Sequence, residues 1–343
     1  MVIFLFLKLI ISTFDLSKII LIMKLTRFTL ITRVIGLILV LKSQIIYSQI
    51  TDTNKVDAET YDFENLESEF NASEIETFGN TRIINGHSVE TLKKGVLEFR
   101  IEHKFGDISG DNGGVQTFYG LDNSTDIRFA FEYGITDKFM IGIGRSKGTA
   151  GLADFGSPYK SLLDGFVKYR LLHQKENTSP ISLAFLGTSS YTYMKQSSDP
   201  SSVASFPKQL NRFAYVSQIN IARKFGKKIS LAIMPTFVYR NLVSDNDING
   251  MFSLGSAVRY SISDKIGVIV EYYQNFHSGD VRTTNKNSLG VAVEWNTFGH
   301  VFTVNLTNSV GFGETQFIPY TFQDWSKGQF RLGFCISRKY RKD

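Results

Sequence analysis

The chain has 343 residues, 43% hydrophobic and 20% charged, with 38 Lys and Arg against 32 Asp and Glu, five His and one Cys. A single cysteine, Cys335, excludes intramolecular disulfides and Cys-based zinc sites. The formal charge of +6 is a property of the leader: six basic residues (Lys8, Lys18, Lys24, Arg27, Arg33, Lys42) and Asp15 lie in residues 1–48, and 32 basic and 31 acidic residues, a net +1, lie beyond. Nucleic-acid binding needs a clustered basic surface; outside the leader and the 338–342 run the chain has none.

Residues 1–48 read as an export signal. Met23, Lys24, Arg27 and Arg33 precede an apolar stretch at 34–41, and Ser48 offers a small residue for cleavage. Met23 is an alternative start, with 1–22 then an upstream extension. The apolar stretch is well short of the roughly 20 residues that span a bilayer. Residues 51–80 hold nine acids and one Lys with no sustained apolar period, so 49–81 is expected to be an acidic, disordered periplasmic segment, followed by a barrel over 82–343.

From residue 96 onward the dominant pattern has period 2. In 96–105, Leu97, Phe99, Ile101 and Phe105 fall on one face, and Glu98, Arg100, Glu102 and Lys104 on the other. Twelve such segments are predicted, near 96–105, 125–133, 139–146, 162–172, 181–193, 212–225, 229–240, 251–262, 266–276, 287–296, 300–308 and 328–338. Pro235 would remove a ladder hydrogen bond, and a bulge is expected there.

Links after the even strands are short (134–138, 173–180, 226–228, 263–265, 297–299), whereas those after odd strands are longer (106–124, 147–161, 194–211, 309–327). That sorting, with aromatics such as Tyr133, Phe139, Trp295 and Phe302 beside the short links, is the signature of a closed antiparallel transmembrane β-barrel of about twelve strands. In lipid every backbone polar group must be paired internally, and a sheet achieves this only by closing. The apolar face, including Leu97, Phe99, Ile101, Ile127, Phe129, Phe131, Ile219, Ile221, Leu231, Ile233, Leu289, Val291, Val293, Leu332 and Phe334, is therefore expected to point outward.

The stretches 82–91 (RIINGHSVET), 94–100 (KGVLEFR), 118–122 (FYGLD), 142–147 (GIGRSK), 221–225 (IARKF), 239–242 (YRNL) and 299–302 (GHVF) resemble a family of Gram-negative outer-membrane barrel proteins, over about 82–340. The resemblance implies a barrel in the outer membrane of a Gram-negative bacterium. It carries no substrate, reaction or site residues.

By parity the inward charges comprise Arg100, Lys104, Arg128, Lys168, Arg170, Arg212, Lys224, Arg240, Arg259 and Arg331, against Glu98, Glu102, Asp126, Glu132, Asp164, Glu271 and Glu294. An open lumen lined this way would weakly prefer anions. Alternatively, the charges pair and fill a narrow barrel. Cys335 falls on the inward face as a small structural residue. Asp245, Asp247, Asn249 and Gly250 match half of a calcium loop, but Ser256 stands where a bidentate Glu belongs, and the same residue types simply make turns. The five histidines are scattered, and His87-Ser88 suits a turn or a lumen plug. No catalytic set is assembled and no cofactor is implied.

Two functions are thus expected. One is a porin-like passive channel for small polar or weakly anionic solutes, in contact with outer-membrane lipid. The other is a non-conducting structural or interaction barrel with partner-binding extracellular loops.

Overall fold

In the computed structural model the residues described are 74–110, 113–122, 126–148, 159, 161–202, 204–244, 247–276 and 285–341. The export signal at 1–48, the acidic segment through 73 and Asp245 lie outside them. Among the described residues twelve strands run in chain order: β1 Val96–Asp107, β2 Asp126–Gly134, β3 Phe139–Lys147, β4 Leu162–Leu172, β5 Ser182–Thr192, β6 Phe213–Phe225, β7 Ile229–Arg240, β8 Gly250–Ser261, β9 Ile266–Phe276, β10 Ser288–Asn296, β11 His300–Thr307 and β12 Arg331–Arg341. Each pairs antiparallel with its chain neighbours, and β1 pairs with β12, closing the barrel. One short helix, α1 (Glu314–Phe317), sits in the long β11–β12 connection.

The burial alternation fixes which face is inside. Phe129, Ile143, Ile233 and Val293 are 42–61% exposed, while Arg100, Arg128, Lys168 and Arg240 are 0–1% exposed. A water-soluble barrel has the opposite order. A charge facing the bilayer midplane costs roughly 2–4 kcal/mol, so this pattern is stable only with hydrocarbon outside.

Two details differ from the sequence expectation. Pro235 makes no bulge: the β6–β7 register is the same on both sides of it (Gln218↔Thr236, Ile221↔Ile233), and Pro235 pairs with Leu254 of β8. It faces outward, so the missing N–H leaves a gap in one ladder without inserting a residue. The last strand starts at Arg331 rather than 328. There a 3-10 turn, Trp325–Lys327, is capped by the Asp324 side chain, which accepts the Ser326 N–H. Gly328 follows at φ 72°, a left-handed conformation suited to glycine, before the Phe330 carbonyl accepts Ile108 N–H at 2.8 Å.

Candidate functional site

Strands about 4.8 Å apart and tilted about 40° give a twelve-stranded cylinder a backbone diameter of about 24 Å. Eight-stranded barrels are just filled by their own side chains, so a bore of this width needs either water or more chain. Here it holds more chain. Residues 74–95, ahead of β1, and the β11–β12 connection both lie across it.

The placement of the first segment follows from its partners. Thr81 Oγ1 donates to Glu132 of β2 (2.7 Å), Lys168 Nζ of β4 donates to the carbonyls of Thr81 and Glu90 (2.8 and 2.9 Å), and Asn220 Nδ2 of β6 donates to the Ser88 carbonyl (3.2 Å). On the far wall, Glu271 of β9 accepts the backbone N–H groups of Ile84, Asn85 and Gly86 at 3.1, 2.9 and 3.1 Å. Ten residues, 81–90, that reach strands all round a cylinder must cross its bore. Gly86 is required for the fit, because a Cβ there would collide with the Tyr273 hydroxyl.

This corrects the expected boundary at 82. Thr77, Phe78, Asn80 and Thr81 are buried, with Glu90 accepting Thr77 N–H at 2.8 Å. The acidic composition suggested disorder, but 77–81 carry no acid, and Asn80 and Thr81 find partners on the wall in Arg100 and Glu132.

The second segment meets the first at its centre. His87 Nδ1 lies 2.9 Å from Glu314 Oε1 of α1, which also accepts the His87 backbone N–H at 3.1 Å, and Arg82 Nη1 donates to the Phe312 carbonyl at 3.2 Å. Full burial, with Arg82 adding to it, pushes the His87 pKa down to about 4. His87 is thus neutral at pH 7 and donates Nδ1–H to the carboxylate. Its Nε2 has no hydrogen-bond partner, so no Ser or Thr hydroxyl is positioned there as a nucleophile among the described residues.

The bore has two chemically distinct sides. On β1–β4 and β12 the inward charges interlock. Arg100 pairs with Glu98 and with Glu132 (3.5 Å), donates to Asn80 and Thr81 of the inserted segment (2.6 and 2.9 Å), and reaches Cys335 Sγ at 3.2 Å. Arg128 bridges Glu102 (2.5 Å) and Asp164 (2.6 Å). Arg170 lies 3.5 Å from Glu90, and Arg331 lies 3.8 Å from Asp126. Lys104 donates to Asn85 Oδ1 and the Ser309 carbonyl (2.8 and 3.1 Å), one on each inserted segment.

Around β5–β10 the inward side carries few charges and mixes apolar side chains with uncharged polar ones. Ala184, Val216, Ala222, Ala232, Met234, Val238, Met251, Ala257, Ile269, Tyr273 and Ala292 form one cluster with Phe78, Ile83, Val89, Phe317 and Ile318 of the inserted segments. Polar groups are interspersed with it: Gln218 Nε2 donates to Asn220 Oδ1 (2.5 Å) and Thr236 Oγ1 to Gln218 Oε1 (3.2 Å), and the charged pairs Arg259 with Glu294 (2.9 Å) and Arg240 with Asp247 (3.0 Å) sit at its ends. Arg212 lies outside this lining, stacked over Phe206 at 4.2 Å with its guanidinium on the carbonyls of Thr192 and Met194.

The apolar cluster was legible in part, since several inward positions of β6 to β9 are Ala, Val or Met, interspersed with polar residues such as Gln218, Asn220, Thr236 and Glu271. The expected inward lists followed only the charges. Asp245 of the calcium half-loop lies outside the described residues; among those described, the Asp247 carboxylate pairs with Arg240, Asn249 Nδ2 donates to the Arg240 carbonyl at 2.7 Å, and Ser256 lies on the outward face of β8.

No curated protein matches the chain in sequence. Among solved structures it is similar to the KdgM porin (8% identity, 72% of this chain and 99% of that one, TM-score 0.42). It is also similar to an outer membrane channel from Pseudomonas putida F1 (13%, 78% and 100%, 0.42) and to outer membrane phospholipase A from Escherichia coli (11%, 71% and 92%, 0.38). At these identities and scores no residue role transfers. With a closed barrel, an outward apolar face and a family profile matching residues 78–340, the chain belongs to the family described as "Membrane bound beta barrel domain (DUF5777)".

Proposed function

We propose that this protein is an outer-membrane barrel of a Gram-negative bacterium, with its short turns in the periplasm, that is non-conducting at rest because two segments of its own chain fill the lumen. Its long extracellular loops present the surface for a partner. The observation that carries this reading is the match between filler and wall: Lys168 and Glu271, on opposite walls, are both satisfied by the backbone of 81–90, while Phe78, Ile83 and Val89 cover the apolar side. An aqueous pore would leave that apolar lining wet, at about 25 cal/mol per Å².

A porin-like channel for small polar solutes is the second reading. What favours it is that the inserted segments are held largely by hydrogen bonds, which can be exchanged for water, and that their withdrawal would expose the charged β1–β4 wall.

Planar-bilayer recording separates the two. Wild-type protein is expected to give no unitary steps, and the Glu271→Gln variant brief openings. Steady ohmic steps from wild type, shifted toward cation selectivity by Arg128→Glu or Arg170→Glu, would replace the closed barrel with the open porin.

A further inference from the structure

Outward-facing strand positions among the described residues carry no acid, yet four carry a strong base: Arg145 and Lys147 of β3, Arg223 of β6 and Arg338 of β12. Arg338 is exposed near the short-turn end of its strand and is paired in register with Phe99 of β1 on one side and His300 of β11 on the other. No carboxylate partners it among the described residues. Its guanidinium lies 5.0 Å from the Tyr340 ring, and the His300 imidazole stacks on Phe302 at 5.9 Å. A planar donor fork and a ring N–H thus stand side by side on the outside of the barrel, bounded by Phe99, Phe302 and Ile336. That combination fits one occupant: a phosphate ester at the polar end of a molecule whose other end is hydrocarbon. A guanidinium facing lipid without a counter-ion is costly, and no acid among the described residues supplies one.

We propose that Arg338 and His300 form a binding site for the phosphate of an anionic glycerophospholipid in the leaflet at the short-turn end, with its acyl chains lying along Phe302, Ile336 and Phe99. The inference rests on the outward apolar face alone, and holds whether the lumen is closed or open.

Trp295 provides the reporter. It faces outward on β10, and its ring lies 5.9 Å from Phe302; the only other tryptophan, Trp325, is in the β11–β12 connection. In a Trp325→Phe background, folded as judged by heat-modifiable gel mobility, the barrel is reconstituted into vesicles containing brominated phosphatidylglycerol or brominated phosphatidylcholine at matched mole fraction. Quenching of Trp295 is expected to give an apparent preference for phosphatidylglycerol of about fivefold, the contribution of one basic residue near an anionic surface. Arg338→Gln should abolish it and His300→Gln should reduce it, whereas Arg223→Gln, six strands away, should leave it unchanged. Equal quenching by the two lipids, or a preference that survives Arg338→Gln, overturns the site. A preference abolished by millimolar inorganic phosphate would assign the two residues to a free anion, and likewise overturns it.

Discussion

Replacing Glu271 with Gln keeps the shape of the side chain and removes one acceptor and the charge. In the wild type Oε1 accepts Asn85 N–H, and Oε2 accepts those of Ile84 and Gly86, in a site 1% exposed. The amide can orient its oxygen toward Ile84 and Gly86, but its NH2 then faces the Asn85 N–H. One buried donor is left unpaired, at about 1–3 kcal/mol, and two charge-assisted bonds become neutral, losing about 1 kcal/mol each. Relief of a buried carboxylate that has no cation within ion-pair distance among the described residues offsets about half of that. The net loss is about 2 kcal/mol in the docking of the segment, a factor of about 30 in its local opening equilibrium. Hydrogen exchange followed by mass spectrometry reads this directly: amides of 83–87 should exchange about 30-fold faster, while those of β6–β9 are unchanged. Unaltered protection at 83–87 would mean that the segment is not held across the bore by Glu271. Equal acceleration in the wall would mean that the segment and the barrel open as one unit.

Gly86→Ala should also loosen the segment, because its Cβ meets the Tyr273 hydroxyl; adding Tyr273→Phe should recover part of the lost protection, and no recovery would refute the steric cause. Arg128→Met strands Glu102 and Asp164 in a buried site and should cost about 3–5 kcal/mol in urea unfolding. By contrast Lys93→Ala, which breaks a solvent-exposed pair with Glu74, should cost under about 1 kcal/mol. His87 has a folded-state pKa pushed down to about 4 from an ordinary 6.5, so the folded form binds fewer protons. The stability it contributes is complete above pH 6.5 and is lost as the pH falls toward 4. Protection of the His87 amide should fall across that window in the wild type and stay flat in His87→Gln.

Period-2 alternation determined the strands and their faces, because a bilayer penalises any outward charge and a one-residue slip reverses every side chain. Leu97, Phe99 and Ile101 against Glu98, Arg100 and Glu102 were readable from that alone, as was the sorting of short and long links. What those inward charges meet was decided only by closure of the sheet. Residues 74–95 carry no period that announces a destination, and their hydrogen-bond partners Glu132, Lys168, Asn220 and Glu271 lie 51 to 187 positions away in the chain. Twelve strands paired edge to edge enclose a bore too wide for their own side chains. An uncovered apolar wall and unpaired buried charges then draw in whichever tethered segments can cover and satisfy them, a requirement that exists only once β1 has met β12.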